Sequence, residues 1–329
     1  MSRIAVIGSN SFSGSDFIDL LLDDPASEVV GISRSAEKSP LFLPYRERSA
    51  ARFTFHQLDL NEDLDGITAL LDRFRPEYVV NFAAQSEVAP SWKHPEQWFR
   101  TNTVALAGLI NHLNGCSYLQ RYVHISSPEI YGSCTGRVRE DAPCNPSTPY
   151  AASKAAADML VMAYVRQYGF PAVFVRATNV YGAHQQLFKI IPRAVIRIRD
   201  RRRIELHGGG AAVKSYIHIR DISRGELAIM THGTTGGIYH LSPEGGISVH
   251  DLVALICRLM GESFSECVTA VAERPGQDAA YVIDSSRARE ELGWQPVVPL
   301  EDGLREVIAW IDTNWDEISR REQEYVHRP

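Results

Sequence analysis

The sequence predicts an α/β fold: a doubly wound parallel sheet of the Rossmann type, followed by a smaller α/β lobe. Two observations carry this. Through residue 177, short β-branched runs alternate with longer stretches whose apolar residues recur every three to four positions, the pattern of strands joined by crossover helices. The first of these runs also leads straight into a glycine-bearing turn and then a helix, as the first βα unit of such a sheet does.

Taken in order, residues 4–7, 29–32, 53–58, 78–82, 122–125 and 172–175 read as buried strands. Between them, Phe17-Leu20-Leu21, Ile67-Leu70-Leu71-Phe74 and Val104-Leu106-Leu109-Ile110-Leu113 mark the apolar faces of helices. Past residue 177 the alternation weakens, and glycine- or proline-containing loops at 207–210, 243–246 and 274–276 separate shorter elements. The expected division is therefore a sheet domain over 1–177 and a second lobe over 178–329, with 237–262 returning to the sheet as one more strand and helix. Six arginines between Arg193 and Arg203 read as a solvated helix face, or alternatively as a wall for a diphosphate.

A chain of 329 residues with 44% hydrophobic and 22% charged content is neither a coiled coil nor a disordered tail, and it is long enough for one large core or two lobes. Its 34 basic and 40 acidic side chains leave a net charge of -6, so no global field draws it to nucleic acid or to an anionic membrane. Five cysteines, odd in number and without a C-x-x-C pair, argue against a disulfide framework and a zinc site. Eleven scattered histidines lack ligand spacing, so no metal is expected. The N-terminus has no signal-peptide core and no later run reaches membrane-spanning length, which predicts a soluble, cytoplasmic protein.

The glycine turn is Gly8-Ser9-Asn10-Ser11-Phe12-Ser13-Gly14. Gly8 suits the tight turn and Gly14 the close packing of helix on strand, while Ser11 stands where a three-glycine fingerprint has its middle glycine. A helix N-terminus placed there can receive a pyrophosphate. At the end of the second strand, Gly31-Ile32-Ser33-Arg34-Ser35 offers a hydroxyl and a guanidinium rather than the acid that holds an NAD ribose. That favours NADP, with NAD as the alternative.

After the fifth strand comes Ser126-Ser127-Pro128-Glu129-Ile130-Tyr131-Gly132, and further on Tyr150-Ala151-Ala152-Ser153-Lys154. Tyr150 and Lys154, four apart at the start of an alanine-rich helix, share one face. An ammonium beside a phenol favours the phenolate, which would let the pair act as a general base. Trp98 and Trp294 read as packing residues, and Trp92 as packing in a loop facing the site.

Together these motifs resemble the extended short-chain dehydrogenase/reductases of the NAD-dependent epimerase/dehydratase family, which act on nucleotide sugars. The resemblance runs through the glycine turn, Asn81-Phe82-Ala83-Ala84-Gln85-Ser86, Tyr150-x-x-x-Lys154, Arg176-Ala177-Thr178-Asn179-Val180-Tyr181-Gly182, Arg274-Pro275-Gly276 and Leu292-Gly293-Trp294-Gln295-Pro296. It implies a tightly held NAD or NADP, a nucleotide-sugar substrate, and a homodimer formed through helices near 97–113 and 150–168. It also implies a cofactor site including Gly8, Ser11, Phe12, Gly14, Ser33, Arg34, Asp59, Leu60, Phe82, Ala83, Ala84, Tyr150 and Lys154. Substrate would be held by Ser86, Ser127, Asn179, Lys214 and Arg274, with Lys214 where many relatives have an arginine.

Within the resemblance, Tyr150 takes the 4-hydroxyl proton as hydride leaves C4, and Ser127 bonds the sugar O4. Glu129 stands where the nucleotide-sugar 4,6-dehydratases have the base for the C5 proton. Those acting on dTDP-glucose carry an aspartate just before it, and here the residue is Pro128. The expected activity is a nucleotide-sugar 4,6-dehydratase with catalytic Ser127, Glu129, Tyr150 and Lys154. A 4-epimerase or a UDP-glucuronate decarboxylase-like enzyme is the enzymatic alternative, and a silent NAD(P)-binding sensor or scaffold the non-enzymatic one.

Overall fold

The computed structural model describes residues 2–48, 50–134, 136–272 and 282–328. Its centre is a seven-stranded, wholly parallel sheet. The strands are β1 (Ser2–Ile7), β2 (Ser27–Ser33), β3 (Phe53–Gln57), β4 (Tyr78–Asn81), β5 (Arg121–Ile125), β6 (Ala172–Ala177) and β7 (Ile238–Leu241). They lie in the order β3-β2-β1-β4-β5-β6-β7, so the chain reverses direction of travel between β1 and β4. In such a sheet the crevice for a ligand opens at the carboxyl ends of the strands on either side of that reversal. The register is continuous across it, with Ile4 opposite Val29 of β2 on one side and Tyr78 of β4 on the other.

The two faces of the sheet bury different sets of residues because side chains alternate along a strand. Ile4 and Val6 pack with Phe17 and Ile18 of α1 (Phe12–Leu21) and with Ile222 and Ile229 of a helix at Ile219–His232. Ala5 and Ile7 face the other way, against Leu70 of α2 (Leu64–Phe74), Leu109 and Ile110 of α3 (Leu106–Leu113) and Val161 of α4 (Pro149–Tyr168). The start of α4 is set by its own sequence: Thr148 caps it by accepting from the Ala151 amide, Pro149 occupies the first turn, and Gly169 ends it at φ 68°.

Each strand expected from the sequence lies within two residues of its place, and Ile238–Leu241 joins as the strand beside β6. The helix that follows, Val249–Leu259, differs from the expectation that it returns to the sheet. Its Leu252, Val253 and Ile256 pack with Ala194, Val195 and Ile198 of α5 (Ile190–Arg199) and with Leu304 and Val307 of a helix at Leu300–Thr313, in a separate core. The apolar stripe was legible, but which surface it meets depends on where the chain leaves β7.

Candidate active site

The glycine turn is dictated by close approach. Gly8 sits at φ +86°, and a Cβ there would lie 2.5 Å from the Ala83 amide nitrogen and 2.7 Å from the Phe82 carbonyl carbon. A Cβ on Gly14 would lie 2.5 Å from the Gly8 carbonyl oxygen, so both positions exclude any side chain. Ser11 caps α1, its Oγ accepting from the Gly14 amide at 3.0 Å. Asn10 ties the turn to the loop after β2, its Nδ2 donating to the Ser35 and Ala36 carbonyls, each at 2.9 Å, while its amide donates to Ser33 Oγ at 3.0 Å. A groove of about 480 Å³ follows this edge past Gly8, Ser11, Ser33, Arg34, Asp59, Leu60 and the Phe82–Ser86 run. An amide-lined helix N-terminus and a turn with no room for a Cβ fit a dinucleotide pyrophosphate.

The groove adjoins a cavity of about 750 Å³ between the sheet and the second lobe. Its sheet-side wall holds Phe12, Phe82, Ala84, Ser86, Tyr150 and Lys154. Ser127 is at the C-terminal edge of β5, where its Oγ caps the short turn Pro128–Tyr131 by accepting from the Glu129 amide at 3.2 Å. It also hydrogen-bonds the Tyr150 phenol. Burial first, and then the Glu129 carboxylate, hold that phenol above its ordinary value. Ser127, Glu129 and Tyr150 therefore converge, although they come from two separate segments.

Lys154 has a partner that the sequence did not show: its ammonium is buried and donates to the Ile125 carbonyl at 2.6 Å, at the end of β5. Burial brings its pKa down to about 8, with Asp158 pulling the other way.

Asp158 is a residue the sequence reading passed over. It lies one further turn along α4, fully buried, accepting from Ser126 Oγ at 2.8 Å and from Arg176 Nη2 at 2.8 Å, with His124 Nε2 3.2 Å from its other oxygen. Burial opposes its charge, yet His124, Arg176 and Ser126 together hold the carboxyl down at about 2. The signal was present as Tyr150, Lys154 and Asp158 spaced by four along one helix face. A second overlooked group is Glu87, which lines the cavity and pairs across it with Lys189 at 2.5 Å.

The lobe side of the cavity includes Asn179 and Lys214, as expected. Asn179 Nδ2 donates to the Ser215 carbonyl at 3.1 Å. Arg274 lies outside the described residues. Of the arginine run, Arg193 alone lines the cavity; Arg197, Arg199, Arg201 and Arg202 pair with Glu324, Asp312, Glu262 and Asp200, and Arg203 donates to the Ser265 carbonyl. Trp92, expected to face the site, lines neither cavity and is 57% exposed.

A parallel sheet with a dinucleotide groove at its switch point, and a Ser, Tyr and Lys set beside it, defines an NAD(P)-dependent short-chain dehydrogenase/reductase with a second ligand cavity. The profile of the family described as GDP-mannose 4,6 dehydratase matches residues 6–307. A dTDP-glucose 4,6-dehydratase of Neisseria meningitidis serogroup B is 29% identical, over 94% of this chain and 93% of the relative. The crystal structure of DesIV, a dTDP-glucose 4,6-dehydratase from Streptomyces venezuelae with NAD and TYD bound, superposes with a TM-score of 0.87 at 31% identity, covering 95% of this chain and 98% of that one. A UDP-glucose 4-epimerase from Thermotoga maritima shares the fold, with a TM-score of 0.87 at 23% identity, covering 95% and 99%. The chain belongs to the GDP-mannose 4,6-dehydratase family, and its activity is that of a nucleotide-sugar 4,6-dehydratase.

The expected preference for NADP finds no support, since the similar structures solved with a cofactor hold NAD. The two side chains assigned to a 2'-phosphate are engaged within the protein: Ser33 Oγ accepts from the Asn10 amide, and Arg34 Nη2 donates to the Arg328 carbonyl at 3.0 Å.

Proposed function

We propose that the chain uses NAD to convert a nucleotide-diphosphate hexose into its 4-keto-6-deoxy form, with Ser127, Glu129, Tyr150 and Lys154 as the catalytic set. The observation that carries this is the convergence of Glu129 with Ser127 and Tyr150, the last of which lines the cavity beside the groove. A 4-epimerase needs the phenol and the serine but has no use for a carboxylate beside them. NAD, held along the groove by the Gly8 to Gly14 turn and the Phe82–Ser86 run, would supply the hydride acceptor for C4 and the donor for C6.

The protein's own groups do the rest. Ser127 orients the sugar O4 towards the Tyr150 phenolate, which accepts the hydroxyl proton. Lys154 holds the β5 end and supplies a positive charge behind the phenol. Once C4 is a ketone, the C5 proton is acidified and Glu129 removes it. Pro128 carries no proton to give, and Glu87 is tied to Lys189, so Glu129 also delivers the proton to the departing C6 oxygen by syn elimination. As hydride arrives at C6, C5 takes a proton from solvent, which balances the O4 proton that Tyr150 gives back to solvent. The diphosphate rests against Asn179, Lys214 and Arg193 of the lobe.

Incubating the protein with NAD or NADP and a panel of GDP-, dTDP-, UDP- and CDP-sugars tests this by mass spectrometry. Loss of one water from a single sugar nucleotide is the expected result; an unchanged mass with altered sugar configuration would replace the dehydratase with an epimerase.

We further place the active form as a homodimer through α3 and α4. Val104, just before α3, and Met159, on α4, are 66% and 62% exposed, and such an interface would cover both. Light scattering on the purified protein checks it. We place the protein in the reducing cytoplasm, which suits five cysteines that include no C-x-x-C pair; no described helix is long and apolar enough to cross a membrane.

A further inference from the structure

The family match ends at residue 307, and beyond it the chain runs back across the ligand site. After a short helix at Trp315–Ile318, anchored by the fully buried Ile318, residues 322–328 leave the second lobe and cross to the sheet domain. On the lobe side, Glu324 lies 3.4 Å from Arg197 and 3.8 Å from Arg193, and Tyr325 meets Phe188 edge to face at 5.2 Å. On the sheet side, the His327 ring stacks with those of His94, at 5.5 Å and 2°, and Trp98, at 5.3 Å and 12°, while its Nε2 lies 2.7 Å from Gln97 Oε1. The segment then reaches the adenosine end of the groove, where the Arg328 carbonyl accepts from Gln85 Nε2 at 2.9 Å and from Arg34 Nη2 at 3.0 Å.

The position of the segment is the informative part. Tyr325 lines both cavities, and Val326 and Arg328 line the groove, which keeps about 480 Å³ with the segment in place. The segment is thus a side of the groove and not a plug in it. Its anchors lie on both walls of the cleft, so lifting it breaks contacts to two separate cores.

We propose that residues 322–328 form the outer wall of the dinucleotide site and retain the cofactor through the catalytic cycle, with Tyr325 as the residue that faces both ligands. The inference rests on the reading that the groove takes a dinucleotide. Retention suits the chemistry: hydride taken from C4 goes back to C6 of the same sugar, so the oxidised and reduced cofactor must stay put while water is lost.

The test compares the full chain, a chain ending at Arg321, and His327→Ala, which removes the stacked ring and leaves the backbone contacts at Arg328. Each is loaded with NAD, and release is followed by chasing with a fluorescent NAD analogue, with circular dichroism as the check on folding. The expected result is release at least ~10-fold faster from the truncated chain and an intermediate rate from His327→Ala, because lost contacts in a formed complex act mainly on dissociation. Equal release rates from all three folded proteins overturn the proposal. If the full chain binds neither NAD nor NADP, it is the dinucleotide reading that fails, and the wall with it.

Discussion

The two walls of the central cleft are built on different principles. On the sheet side, short contiguous motifs do the work: a turn in which Gly8 and Gly14 have no room for a Cβ, a serine at a strand end, and a tyrosine and lysine one helical turn apart. On the lobe side, the wall is assembled from Phe188 to Arg193, Glu205 to Lys214, and Glu324 and Tyr325, the last piece more than a hundred residues from the other two. The sheet wall has fixed backbone geometry and buried charge, whereas the lobe wall is held by partly exposed ion pairs and aromatic contacts. The difference teaches where chemistry and where selectivity reside: reacting groups need rigid placement, and a variable nucleotide-sugar cargo is met by replaceable side chains.

That contrast can be broken most directly at Tyr150. Tyr150→Phe should cut turnover by ~10²–10⁴-fold, the usual contribution of a positioned acid or base, while NAD titration shows binding retained. Glu129→Gln should leave C4 oxidation in place and stop the water loss, so that reduced cofactor builds up by absorbance while no sugar nucleotide lighter by one water is formed. If Glu129→Gln still yields the dehydrated product, the proton at C5 is taken by another group.

Asp158→Asn probes the foundation of the sheet wall. It leaves the buried Arg176 without its carboxylate, and breaking such a pair costs roughly 3–5 kcal/mol, read as a fall in denaturation midpoint. Because the Asp158 pKa is lowered, from 3.8 to about 2, its contribution to stability is present above the unfolded value and is lost as pH falls through about 2. The wild type should therefore lose stability over that acid range, and Asp158→Asn should lack this part of the loss.

Lys154 sets an alkaline limit. With its pKa brought down to about 8, turnover should fall as pH rises through that value, and Lys154→Arg should be slower but flat over the same range, since a guanidinium does not titrate there. Arg199→Ala, on the outer side of the lobe, is the mildest change. Its partner Asp312 is as exposed as it is, so the stability change should stay below about 1 kcal/mol with turnover unaltered.

The strands, the glycine turn and the Tyr150 helix were legible because each is specified by neighbours in sequence: alternation, φ, capping and i to i+4 spacing act within a few residues. The arginine run was legible only as composition. That Arg193 turns into the cleft while Arg197 and Arg199 turn to carboxylates follows from how α5 is rotated against its lobe. The direction of the Lys154 ammonium, the partners of Asp158 and the Glu87 to Lys189 pair were illegible for the same reason, since each depends on segments brought together from afar.

By itself, then, the sequence determined a doubly wound sheet and a dinucleotide turn, because local sterics and helical periodicity place them, and through a family resemblance it nominated Ser127, Glu129, Tyr150 and Lys154 as the reacting set we propose. Only the tertiary structure decided which charges are buried and paired, that the Val249–Leu259 helix packs away from the sheet, and that Tyr325, Val326 and Arg328 line the groove. Those outcomes turn on burial and on contacts between distant segments, and burial is a property that no stretch of chain possesses before the others have packed against it.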